Sequence, residues 1–231
     1  MGMFCVNFHF RTQDQEALAG ALSRRGVRQY HIFPTVGEWT SVCEQRASEQ
    51  DDQRIRELAG GLSADLHVPA IAFLVHDSDI ACYWLFENGQ LVDEYNSCPD
   101  YFEDVPTEKP AASGGQPHLL VRYCRSGIGE EDVAAILGER PVFAEDIIAK
   151  LADALGIDSQ RALADYRRLD HDGEPGNDGG DEDDSGPRLP VDKASVSARL
   201  AQWLGIGPEA APADPKAVAL VQAAVSDDTD Q

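Results

Sequence analysis

The chain has 231 residues, 42% of them hydrophobic, which is enough for one sizeable core, and 41 acidic against 19 basic residues give a formal net charge of −22. Half of that excess is local, because residues 170–184 hold eight carboxylates and no Lys or Arg, and Asp227, Asp228 and Asp230 add three more. The remaining body is still acidic and repels phosphate backbones and anionic lipid headgroups, which points to a protein partner and away from nucleic acid and membrane.

No basic segment followed by a long apolar run stands at the N-terminus, and the longest apolar stretch, residues 68–75, is far short of the roughly 20 that span a bilayer. Five cysteines, odd in number, widely scattered and without a Cys-x-x-Cys pair, read as reduced thiols packed as small hydrophobes, and the expected location is cytoplasmic.

Taken in chain order, residues 3–10 alternate as a strand does, with Phe4, Val6, Phe8 and Phe10 on one side and Cys5, Asn7 and His9 on the other. Ala17, Leu18, Ala21 and Leu22 then fall at helical spacing until Gly26. Residues 30–33 and 39–43 read as a hairpin. From Asp51, the stripe Ile55, Leu58, Ala59, Leu62 and Leu66 predicts a second helix, closed by Pro69.

Residues 70–96 form three apolar runs, separated by Asp77-Ser78-Asp79 and by Asn88-Gly89, and so predict a three-stranded meander. A two-residue turn at Asn88-Gly89 pairs Phe86 with Leu91, Leu85 with Val92 and Trp84 with Asp93. A two-residue turn at Ser78-Asp79 pairs Val75 with Cys82, Phe73 with Trp84 and Ile71 with Phe86, which puts Ile71, Phe73, Val75, Cys82, Trp84 and Phe86 on one buried face. The opposite face, with Leu74, Tyr83 and Leu85, is also apolar, so both sides of the sheet need cover.

The fold expected is α+β. Strand, helix, hairpin, helix, strand resembles the ferredoxin-like βαββαβ order, extended here by a hairpin, with both helices on one face. A Pro-, Gly- and Ser-rich link over residues 106–117 leads to helices over residues 130–137, 143–155 and 159–169, with Gly156 and Asp158 as caps, and these cover the second face. The domain plan is a sheet domain at 1–105, a helical section packed on it at 106–169, a disordered acidic linker at 170–190 and short amphipathic helices, partly disordered, at 191–231.

Hairpin geometry brings His76, Asp77, Ser78 and Asp79 beside Asn96, Ser97, Cys98 and Asp100 at one end of the sheet. His76, Asp77, Asp79, Asn96 and Asp100 offer oxygen and nitrogen ligands for a divalent metal, whereas Asp and Ser at tight turns also serve simply to cap their own backbone. Cys98 near His76 is a candidate nucleophile, although Asp93, Glu94, Asp100, Glu103 and Asp104 around it disfavour a thiolate. Asp93 and Glu94 point to opposite faces and cannot act as an acid–base pair. Residues 151–158 and the helix after them, with Arg161, Arg167 and Arg168, resemble the helix-turn-helix of bacterial repressors, but Asp146, Asp153, Asp158, Asp165 and Asp170 flank it and oppose DNA.

The acidic stretch, with Trp203 and Leu204 as an apolar anchor downstream, favours a non-enzymatic binding or regulatory protein that docks or neutralises a basic protein partner. The alternative is a metal-assisted enzyme built on the His76 cluster, and the lesser alternative a helix-turn-helix regulator. No residue pattern names a reaction.

Overall fold

The computed structural model describes residues 2–101 and 112–171. Its strands are β1 (Cys5–Phe10), β2 (Tyr30–Ile32), β3 (Thr40–Glu44), β4 (Ala70–His76), β5 (Ile80–Glu87), β6 (Gln90–Asn96) and β7 (Ser113–Gly114). They form one seven-stranded sheet in the order β2-β3-β1-β4-β5-β6-β7 with every neighbour antiparallel. The fold is therefore α+β.

The alternation in β1 sorts the sheet's two faces. Val6, Phe8 and Phe10 pack with α1 (Gln15–Arg24) and α2 (Asp52–Leu66), whose stripe Ile55, Leu58, Ala59 and Leu62 is buried. Both helices begin on a side-chain cap, Asp14 accepting from the Ala17 N–H and Asp51 from the Arg54 N–H. The second face is covered by α3 (Pro117–Leu120), α4 (Glu130–Gly138), α5 (Glu145–Leu155) and α6 (Ser159–Ala162). Residues Met1–Tyr166 make up one compact unit and Arg167–Gln231 a second, of which the described part is the end of α7 (Tyr166–His171). The acidic linker, Trp203 and Leu204 lie outside the described residues. Among the described residues no helix is long and apolar enough to cross a membrane.

The meander exists as expected, but its register does not. Asn88-Gly89 is a two-residue turn with Glu87 paired to Gln90 and Phe86 to Leu91, and both central residues have positive φ, 48° and 83°. One step further on the register shifts, so that Leu85 meets Asp93 rather than Val92, and Trp84 meets Glu94 rather than Asp93. At the other end the loop has three residues rather than two, and His76 pairs with Ile80. Asp77 and Ser78 both adopt positive φ there, a conformation that short polar side chains tolerate. The N-terminal backbone holds this loop in place: the Met3 N–H donates to Ser78 Oγ at 2.7 Å and the Ser78 N–H donates to the Met3 carbonyl at 3.1 Å.

One extra loop residue moves every side chain of β5 to the opposite face. Ile71, Phe73 and Val75 consequently share a face with Ala81, Tyr83 and Leu85 under α5, while Cys82, Trp84 and Phe86 pack with Ala70, Ala72 and Leu74 beside α2. The expected single face of six is thus two faces of three. Both are buried.

Gly89 is constrained twice. Besides its positive φ, a Cβ there would stand 2.7 Å from the Ala64 Cβ of α2. Gly89→Ala should cost at least about 1 to 2 kcal/mol from the left-handed backbone alone, readable as a lower urea midpoint at unchanged slope.

The expected helix over residues 159–169 is broken into α6 and α7, because tertiary bonds take over its backbone. Asn7 Nδ2 donates to the Ala162 and Ala164 carbonyls, at 2.8 and 2.9 Å. Asp165 accepts from the Val6 N–H and from Ser48 Oγ, at 3.2 and 3.0 Å. Val6 lies beyond the last β1–β3 pair, Phe8 with Val42, so this carboxylate supplies the acceptor that the neighbouring strand does not.

Candidate binding groove

Antiparallel alternation puts Leu74 and His76 of β4, Ile80, Cys82 and Trp84 of β5, and Glu94 and Asn96 of β6 on the α2 side of the sheet. Asp52 and Arg56 are one helical turn apart on α2, facing Trp84 and Glu94. Together with Glu49, Gln50, Ser113 and Gly114 these residues line a groove of about 630 Å³. Its floor is apolar, with Trp84 only 5% exposed. Its rim carries three carboxylates, Glu49, Asp52 and Glu94, against one arginine.

Arg56 organises the rim. Its Nε donates to Asp52 Oδ2 at 2.7 Å, its Nη2 to Glu94 Oε2 at 2.5 Å, and its guanidinium carbon lies 5.3 Å from the centre of the Trp84 ring. Burial works against the Arg56 charge, but the bonds to Asp52 and Glu94 outweigh it and raise its pKa. The Cys82 thiol in the floor is pushed up to about 12, by burial first and then by the Asp52 and Glu94 charges. It remains protonated and unreactive.

The structure divides the cluster expected at the sheet end. His76 and Asn96 line the groove, whereas Asp79 and Cys98 line a separate pocket of about 290 Å³ with Arg140, Pro141 and Val142. His76 Nδ1 lies 2.6 Å from Gln50 Oε1, and its ring meets Phe4 and Tyr101 edge to face. Asp77 accepts from the Gly2 N–H, Asp79 from the Tyr101 hydroxyl and Asn96 from the Cys98 N–H. The Cys98 thiol is raised by burial and by the charges of Asp100 and Asp79, which opposes nucleophilic use. Among the described residues no group of three or more His, Cys, Asp or Glu side chains is placed to hold a metal ion.

The helix-turn-helix likeness resolves into two packed helices. Gly156 caps α5 at φ 76° and Asp158 caps α6, but α6 has only four residues. Arg161 turns inward, 6% exposed, donating to the Pro34 carbonyl and lying 5.8 Å from the Phe33 ring centre. A recognition helix needs the opposite, a longer helix with outward polar side chains.

A buried network that the sequence did not announce lies beneath Arg161. With both Nδ2 hydrogens given to carbonyls, Asn7 has its Oδ1 left for His9 Nε2, 2.7 Å away, and His9 Nδ1 then accepts from Ser41 Oγ at 2.8 Å. Serine, histidine and asparagine in series have the chemistry of a nucleophilic triad. Here all three are buried and line neither of the two pockets described, and their hydrogen bonds join β1 to β3 and to the residues at the end of α6. Burial, and secondarily the Arg161 charge, lower the His9 pKa to about 3. His9 is neutral at physiological pH.

Comparison of the chain with protein-family models, with curated proteins and with solved structures gave no match.

Proposed function

We propose that this protein is a non-enzymatic binding protein whose groove between α2 and β4–β6 docks a basic segment of a protein partner. The observation that carries this reading is the combination of an apolar floor, Leu74, Ile80, Cys82 and Trp84, with a carboxylate-rich rim, Glu49, Asp52 and Glu94. Apolar contacts supply affinity in such a site and the rim charges supply selectivity and on-rate. The acidic stretch at residues 170–184 adds long-range attraction of the same sign, and Trp203 with Leu204 offers a second apolar anchor. The scaffold for the groove is read as a ferredoxin-like split βαβ core, β1 to β4 with α1 and α2, extended by β5 to β7. The strand order β2-β3-β1-β4 supports this.

A labelled hexapeptide alternating lysine and leucine tests the reading against its glutamate–leucine counterpart. Fluorescence anisotropy should show binding of the basic peptide alone, weakening as salt rises from 20 to about 200 mM. Glu94→Lys should weaken it by roughly ten-fold, and deletion of residues 170–184 should slow association more than it speeds release. Equal binding of both peptides, or indifference to Glu94→Lys, refutes a basic partner in this groove.

A further inference from the structure

Asp52, Glu94 and Trp84 surround the Arg56 guanidinium on two edges and one face, at 2.7, 2.5 and 5.3 Å. Two carboxylates across the edges of a planar cation with an indole on its face are the elements by which proteins recognise arginine from outside. We infer that Asp52, Glu94 and Trp84 form a guanidinium-recognition subsite of the groove, filled by the chain's own Arg56, which an arginine of the basic segment replaces on binding. This inference rests on the groove being the docking site and names the residue that the site selects.

Three observations support exchange. The Asp52 and Glu94 side chains are 58% and 51% exposed, so the ion pairs holding Arg56 are in contact with water and weakly held. Arg56 is anchored to the helix surface by a flexible stem, and its withdrawal breaks no backbone bond. Asp52 sits one turn before it on α2, so the pair it makes with Arg56 is local to the helix surface and can part without disturbing the helix backbone. Beyond the subsite, Glu49 at the rim and Leu74, Ile80 and Cys82 in the floor continue the groove, and they suit a further cation and an apolar side chain beside the arginine. The ligand class is therefore a short segment in which arginine neighbours an apolar residue. Lysine, a compact ammonium without a flat face, uses the subsite less well.

The test compares hexapeptides alternating arginine with leucine and lysine with leucine on the full chain, on Arg56→Ala and on Arg46→Ala. Arg46 is exposed on the 3-10 turn Arg46–Glu49 and does not line the groove, so its removal changes the charge without opening the subsite. Arg56→Ala should bind the arginine peptide about ten-fold more tightly than the unmodified chain, with a smaller gain for the lysine peptide. Adding Glu94→Gln to Arg56→Ala should cancel the gain. A gain of the same size in Arg46→Ala would assign the effect to charge alone and overturn the exchange. Weaker or unchanged binding in Arg56→Ala also overturns it and leaves the groove reading standing. Failure of both peptides to bind any of the chains refutes the groove reading itself and the subsite with it.

Discussion

Replacing Trp84 by alanine should lower the folding stability by about 3 to 5 kcal/mol. Trp84 is buried at the centre of β5, between Ala72 and Glu94 on the neighbouring strands, and it closes the apolar layer under α2. Removing the indole leaves two small neighbours, Ala72 and Cys82, which cannot close over the space. Arg56 loses its stacking surface as well. Urea unfolding at constant slope measures the cost, and Trp84→Phe, which keeps a flat ring, should recover about half of it. A loss below about 1 kcal/mol would mean that this wall of the groove is loosely packed and does not anchor the fold.

Acid should destabilise the protein, and one buried histidine contributes a separable part of the loss. The His9 pKa is about 3 in the folded chain against an ordinary 6.5, so between those values the unfolded chain binds a proton that the native chain refuses. The histidine's contribution is therefore fully present above about pH 6.5 and falls by about 1.4 kcal/mol per pH unit as the pH drops towards 3, a total of about 4 to 5 kcal/mol. Burial of the ring accounts for the direction first, and the Arg161 charge, which opposes a second positive charge beside it, adds to it. Carboxylates titrate in the same window, so the informative quantity is the difference between the parent and His9→Gln. The parent should lose stability faster on acidification, and parallel curves from pH 7 to pH 4 would show that His9 is not held neutral.

What could be read from the residues is what is chemically local. Asn88-Gly89 specifies its turn, because positive φ at two successive residues leaves few alternatives, and Asp14, Asp51 and Asp158 specify helix starts through their own side chains. The apolar character of both faces of the meander correctly demanded helices on both sides. The register of β4 against β5 was not legible, since it depends on Met3 gripping Ser78 from 75 residues away. Nor was the break after α6, which is made by Asn7 and Asp165 rather than by a proline or glycine. At the sheet end, alternation and loop geometry send His76 and Asn96 to the groove and Asp79 and Cys98 to the other pocket. The groove was missed for a related reason. Arg56 and Trp84 come together only when α2 lies across β5, and the spacing Asp52–Arg56 was the one sign of it in the sequence.

The bonds from Asn7 and Asp165 also set an order of events during synthesis. β1 is made first and lies inside the sheet, yet its polar groups find their partners only at Ala162, Ala164 and Asp165, 155 to 159 residues later. At about 5 to 20 residues per second the ribosome needs roughly 8 to 30 s to deliver them. Through that interval the nascent sheet has Asn7 facing an unfinished layer, and docking it early in an apolar setting would leave its amide hydrogens without acceptors. The part of the second face over Asn7 therefore closes only with α6, after α3, α4 and α5 have been made.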